Sequence, residues 1–196
     1  MSLKAEQAEA TRAALIGAAR PLFAERGYAN VGTEEIVRAA RVTRGALYHH
    51  FAGKDELFLA VFEVVERELT ERIALQAAER SGGDPLELLR AGASAFLDST
   101  LEPEAQRIVL LDAPAVLGWD VWREVGERYG LGLVIATLEA AMDAGAIARR
   151  PVRPLAHILL GALDEAAMLV ARADDDGTTR REVGETVEAL LDGLRA

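Results

Sequence analysis

Residues 33–54 read TEEIVRAARVTRGALYHHFAGK, and the reading of this stretch decides the fold. Thr33 is a good N-cap, because its hydroxyl can accept from backbone N–H groups that lack a helical partner. Glu34 and Glu35 follow in the first turn, where carboxylates suit the positive end of the helix dipole. Ile36, Val37 and Ala40 fall on one face at helical spacing. Thr43 is the next N-cap and opens a second helix that runs to about His50. In that helix Ala46, Leu47 and Phe51 face inward, whereas Arg44, Gly45, Tyr48 and His49 point away. Gly45 costs a helix about 1 kcal/mol relative to Ala, yet it removes a side chain that would hold a neighbour at a distance.

Two short helices joined by a tight turn, the second exposing Arg, Tyr and His, form the arrangement by which a small helical domain places a helix end in the DNA major groove. The stretch resembles the DNA-binding domain of the TetR family of transcriptional regulators. The resemblance covers roughly Thr11 to Glu63 and includes Ala18, Leu22, Phe23 and Gly27-Tyr28. It is carried by Thr33, Ile36 and Ala40, by Val42-Thr43-Arg44-Gly45, by Leu47-Tyr48-His49-His50-Phe51 and by Lys54-Asp55-Glu56-Leu57. One position departs from the family pattern. The turn residue that is usually glycine is Arg41 here, and a left-handed backbone costs a non-glycine residue about 1–2 kcal/mol.

The resemblance implies that Thr33, Tyr48, His49 and Lys54 contact phosphates, Lys54 from the start of a long fourth helix. It places Thr43, Arg44 and Gly45 at the groove end of the recognition helix. Arg44 is the candidate base reader, since a guanidinium can bind the O6 and N7 of guanine together.

The net charge of −10 looks unsuited to a polyanionic partner until it is divided along the chain. Residues 1–54 carry eight basic and five acidic side chains; the remainder carries 14 and 27. Phosphate attraction is local, because charges beyond about 8–10 Å are largely screened at physiological salt. A mildly basic end on an acidic body is therefore compatible with DNA binding. The chain has 51% hydrophobic but only 5% aromatic residues and six prolines, a composition that favours helices. The absence of cysteine excludes disulfides and thiolate metal sites and suits a cytoplasmic location. No signal peptide and no apolar run long enough to span a membrane is expected. Arginine outnumbers lysine 20 to 2, a bias typical of GC-rich bacterial coding.

An all-α fold is expected throughout: a three-helix DNA-binding domain over residues 1–53, then a larger helical regulatory and dimerisation domain over 54–196. Leu15, Ala18, Ala19, Leu22 and Phe23 form the stripe of a first helix that Gly27 stops. Phe58, Phe62, Val65, Leu69 and Ile73 mark one long helix from Lys54 to about Glu79, which would connect the two domains. Asp84 caps and Pro85 starts the next. Further helices are expected over 85–98, 103–111, 117–144, 154–172 and 178–194.

The last two helices are candidates for a homodimer interface. Leu155, Ile158, Leu159, Ala162 and Leu163 lie on one broad apolar face, and Val183, Val187, Leu190, Leu191 and Leu194 form a stripe on the other helix. Two such helices from each chain could build a four-helix bundle across a two-fold axis, although both stripes could instead face their own core. A dimer would present two recognition helices to a pseudo-palindromic operator in double-stranded DNA.

The resemblance also implies a small-molecule effector bound within the C-terminal region. Candidate lining residues are Trp119, Trp122, Tyr129, Arg107, Asp112 and Arg123, with Phe96, Met142 and Met168 further out. Large aromatics with a few polar groups suit such a cavity, but they also suit an ordinary core. The run LDAPAVLGWDVW is similar to a subset of TetR-like C-terminal domains and does not identify an effector. No cofactor or metal site is expected. The chain has three histidines, of which His49 and His50 are adjacent and diverge on a helix, and Asp174-Asp175-Asp176-Gly177 lacks the alternation of a calcium loop. Ser94 and Ser99 have no evident base, so an enzyme is not expected. A protein-interaction module with weak or lost DNA binding remains the alternative.

Overall fold

A computed structural model describes residues 3–175 and 177–195, so Met1, Ser2, Asp176 and Ala196 lie outside the described residues. The elements in chain order are α1 (Leu3–Arg26), a 3₁₀ turn (Tyr28–Asn30), α2 (Thr33–Ala39), α3 (Arg44–His50), α4 (Lys54–Ser81), α5 (Pro85–Ser99), a π-helical segment (Ala105–Asp112), α6 (Ala113–Leu117), α7 (Trp119–Gly126), a second π-helical segment (Glu127–Leu131), α8 (Gly132–Asp143), α9 (Val152–Arg172) and α10 (Thr178–Asp192). The fold is all-α, as the composition and periodicity require.

The chain divides into two compact units, Met1–Val65 with Pro103–Trp122, and Glu66–Glu102 with Arg123–Ala196. This differs from a division between residues 53 and 54. The first half of α4 and the 103–122 segment both belong to the first unit, because their apolar side chains complete its core.

In the first unit α1, α2 and α3 pack on one another. Leu15, Ala19, Phe23, Ile36, Leu47, Phe51, Phe58 and Phe62 are its buried centre. Phe23, Tyr28 and Phe58 form an aromatic trio, with centroid separations of 5.9, 5.2 and 5.1 Å and edge-on contacts to Phe58. Gly27 ends α1 with φ 74°, and a Cβ there would lie 3.3 Å from Asp112 Oδ2 and 3.4 Å from Arg107 Nη1. Glycine is thus required both by the backbone and by the approach of the π segment. Asp112 Oδ2 accepts from the Tyr28 backbone N–H at 2.7 Å. Arg20 holds Glu104 with two parallel hydrogen bonds of 2.8 Å. Residues 103–122 are in this way tied to the end of α1.

The π segment ends just before a proline. The Ala113 N–H reaches back five residues to the Ile108 carbonyl. The next bond in that series would need an N–H from Pro114, which has none. The Val109 carbonyl therefore lacks a backbone donor, and the buried Trp122 indole Nε1 donates to it at 2.8 Å. The helix expected over 117–144 runs without interruption over 119–143, as α7, a π turn and α8, and begins just after Gly118 (φ 84°).

The second unit packs α5, α8, α9 and α10 around Leu89, Leu97, Leu138, Ala156, Leu159, Leu163, Val187 and Leu191. Asp84 caps α5 by accepting from Leu86 and Glu87 N–H at 2.8 and 3.2 Å, and Pro85 opens it. Arg180 ties α10 to α5, donating to Asp98 Oδ1 at 2.6 Å and to the Ser94 carbonyl at 3.0 Å. Ser99 Oγ donates to the Phe96 carbonyl at 2.5 Å, so both serines have structural partners.

By length and composition α9 is long and apolar enough to cross a membrane, although its apolar run is not uninterrupted. Its buried side chains, Ala156, Leu159, Leu163, Ala166, Ala167 and Val170, belong to the core, and Asp164 and Glu165 interrupt the apolar run. It has the composition of a core helix.

Candidate nucleic-acid interface and ligand cavity

The turn between α2 and α3 is built on Arg41, which adopts φ 56°. The Arg41 N–H donates to the Arg38 carbonyl at 3.2 Å and the Val42 N–H to the Val37 carbonyl at 3.0 Å. These are the paired bonds of a Schellman stop, formed here without glycine. At the end of α8 the same motif uses Gly145, with φ 71°. The N-cap of α2 is Gly32 rather than Thr33: the Gly32 backbone is extended, its carbonyl accepts from Glu35 and Ile36, and Thr33 is the first helical residue.

Thr43 caps α3, its Oγ1 accepting from the Ala46 N–H at 3.1 Å. The hydroxyl keeps its own proton to donate. Leu47 and Phe51 are fully buried, whereas Arg44, Gly45, Tyr48 and His49 are exposed. Arg44 lies 5.6 Å from the Tyr48 ring centroid and 3.6 Å from Glu34. An exposed ion pair of this kind contributes little, so the guanidinium can exchange it for another acceptor. Hydrogen bonding from Arg44 and Thr33 holds the Tyr48 hydroxyl below the usual phenol range. A Cβ on Gly45 would meet only Thr43 Oγ1, at 3.9 Å. The fold of the chain itself therefore does not demand glycine at the head of α3.

Lys54 is more committed than a phosphate contact requires. Its Nζ donates to the Tyr28 and Val31 carbonyls at 3.0 and 3.1 Å and sits 3.9 Å above the Tyr28 ring. It pins the start of α4 to the turn after α1. Tyr28 in turn hydrogen-bonds Asp55, and burial with that carboxylate raises its phenol.

The second unit contains a cavity of about 350 Å³. It is enclosed by α4 through Glu66, Thr70 and Ile73, by α5 through Leu89, Gly92 and Phe96, by Gly126, Gly130, Leu133 and Thr137, and by Leu160, Leu163 and Asp164 of α9. Burial, together with the charge of Asp164, pushes the Glu66 carboxyl up to about 7. Burial also raises Asp164, to about 6, despite the opposing effect of Arg123.

Two family models match the chain. The model of the bacterial regulatory proteins of the tetR family matches residues 5–61, and that of the tetracyclin-repressor-like C-terminal domain matches residues 86–194. The chain belongs to the TetR family. A TetR-family transcriptional regulator from Pectobacterium atrosepticum, known from a crystal structure, is 36% identical with a TM-score of 0.86, covering 97% of each chain. The regulator AcrR of Shigella flexneri is 35% identical over 54% of this chain and 48% of its own length. CymR of Pseudomonas putida is 36% identical over 62% and 61%. The chain thus spans about half to six tenths of these curated relatives.

As a TetR-family member the chain places its candidate effector residues in several locations. Of those expected, only Phe96 lines the cavity; Tyr129 lies along a shallower groove with Arg67, Thr70 and Leu133. Arg107, Asp112, Trp119 and Trp122 belong to the first unit, where Asp112 and Trp122 satisfy backbone groups. Met142 and Met168 are buried core residues, and Arg123 bonds Glu127 at 3.1 Å. Glu66, Thr70, Thr137 and Asp164 also line the cavity and are not among the residues expected from the sequence. A signal existed in the sequence, since Glu66 falls four residues after Phe62 and seven before Ile73, on the inward stripe of α4.

The expected dimer surface is also redistributed. Leu159, Leu163, Val187 and Leu191 lie in the chain's own core, with Leu155, Val183 and Leu194 packed against it. Ile158 (71% exposed) and Leu190 (57%) remain uncovered, with Leu169 on the same side of α9 as Ile158, and Ala162 is half-buried between them.

Proposed function

We propose that this protein is a cytoplasmic transcriptional repressor that binds a pseudo-palindromic operator as a homodimer and leaves it when a small molecule occupies the cavity of the second unit. The observation that carries the reading is the division of α3 into two faces: Leu47, with the following Phe51, anchors the helix, while Arg44, Gly45, Tyr48 and His49 stay exposed. Arg44 reads a base, Thr43, Thr33, Tyr48 and His49 meet phosphates, and Gly45 permits close approach. Lys54 acts mainly by fixing the start of α4, with one ammonium proton left for a phosphate. Ile158, Leu169 and Leu190 supply the apolar centre of the dimer contact. Release requires that the effector bind the DNA-incompetent arrangement better than the competent one.

The test is capture of genomic fragments by the purified protein, followed by binding titrations on the enriched site with Arg44→Ala alongside. The variant should lose about 1–3 kcal/mol and relax preference at one base position. Uniform weakening across sequences would reassign Arg44 to phosphate, and no enrichment at low or moderate salt would remove the operator function.

A further inference from the structure

The second unit holds a carboxylate, Glu66, for which no counter-ion is found among the described residues. Glu66 is 8% exposed, and among the described residues no donor hydrogen-bonds it. Glu66 lines the cavity from α4. Asp164 lines the same cavity from α9, and its like charge disfavours ionisation of Glu66. The other groups facing Asp164 are Arg123 and Glu127. Glu127 accepts from Arg123 Nε at 3.1 Å and lies 3.4 Å from His157 Nδ1, so Arg123 is shared between two carboxylates. Among the described residues no lysine or arginine lines the cavity. Its remaining polar side chains are the hydroxyls of Thr70 and Thr137, and Thr137 already donates to the Leu133 carbonyl at 2.9 Å. All else in the wall is aliphatic, aromatic or glycine.

A carboxylate in such surroundings is either neutralised by a proton or paired with a cation. We propose that the cavity binds an amphipathic monocation, its apolar body against Ile73, Leu89, Phe96 and Leu163 and its ammonium or amidinium head between Glu66 and Asp164. This rests on the reading of the cavity as the effector site and adds the chemical class of the effector. An anion would meet two like charges. A neutral apolar guest would exclude water from Glu66 and favour its protonated form. The two kinds of guest therefore have opposite pH signatures: a cation binds better as Glu66 ionises, and a neutral guest binds worse. With the carboxyl at about 7, cation affinity should rise about tenfold from pH 6 to pH 8.

The experiment is calorimetric titration of the full chain, without DNA, using octyltrimethylammonium, octanol and octanoate as matched probes at pH 6 and pH 8. The expected result is that the ammonium binds about tenfold or more tighter than octanol at pH 8. Its affinity should rise with pH, and Glu66→Gln should abolish both the preference and the rise. Asp164→Asn, with circular dichroism to verify folding, should weaken the ammonium selectively, and it serves as the test variant if Glu66→Gln does not fold. Equal or tighter binding of octanol or octanoate, an ammonium affinity that falls with pH, or a folded variant that keeps the ammonium preference would each overturn the proposal. Because DNA is absent, such a failure leaves the operator function standing. Ammonium binding that leaves operator affinity unchanged would instead support the pocket chemistry and remove the coupling.

Discussion

Replacing Glu66 with glutamine exchanges one oxygen for an amide nitrogen in an otherwise unaltered wall, and its consequence for stability has a definite sign. In the folded chain the carboxyl is raised from 4.5 to about 7, burial being the larger cause and Asp164 the smaller. Between those pH values the unfolded chain has lost the proton and the folded chain has kept it. Stability must therefore fall as pH rises through this window and level off above it. The full interval corresponds to about 3 kcal/mol. Asp164, raised to about 6, contributes in the same direction at lower pH, facing Arg123 and Glu127. The difference between wild type and variant isolates Glu66 and also cancels the pH-independent cost of burying an amide. Urea denaturation followed by helical circular dichroism at pH 5, 6, 7 and 8 should show the variant gaining on the wild type by about 2.5 kcal/mol across the series. Parallel stability curves would refute the argument, because they would mean that Glu66 is ionised and solvated at all these pH values.

Arg41→Gly should raise the stability of the first unit by about 1 kcal/mol, since the left-handed backbone at φ 56° costs an L side chain and not glycine; a lower melting temperature would show that the Arg41 side chain makes a compensating contact. Gly45→Ala should leave the fold intact or stabilise it by about 0.5–1 kcal/mol, because a Cβ there meets nothing closer than 3.9 Å. It should nevertheless weaken operator binding, and unchanged affinity in anisotropy titrations would remove the role given to that glycine. Gly27→Ala should destabilise the first unit by about 1–2 kcal/mol or more through positive φ and crowding of Asp112. A neutral effect in thermal denaturation would contradict the close approach of the π segment.

Much of this protein was legible in its sequence because the relevant physics is local. The helix-turn-helix lies within 22 consecutive residues, so its caps, stripes and exposed basic face can be read from neighbours three and four positions apart. The same holds for the Asp84-Pro85 helix start, the Gly27 stop and the inward order of Phe58, Phe62, Val65 and Leu69. Gly32 taking the cap in place of Thr33 is a shift of one residue within that local reading.

The rest depended on which distant segments meet. The indole of Trp122 donates to the Val109 carbonyl, which Pro114 cannot reach with an N–H, so a residue type that suits a ligand site here completes a core. The apolar stripes of α9 and α10 do not disclose which leucines their own chain covers; packing against α5 and α8 buries Leu159 and Leu191 and leaves Ile158 and Leu190 outside. The cavity draws its wall from segments nearly a hundred residues apart, and Glu66 and Asp164 become a pair only when α4 and α9 are brought together. The sequence by itself thus determined the family, most of the helices and which side chains of α3 stay exposed, all of which depend on spacing along one element. Tertiary structure alone decided the cavity, its two carboxylates and the fate of the tryptophans, because desolvation and charge coupling act through space between helices whose juxtaposition no local pattern encodes.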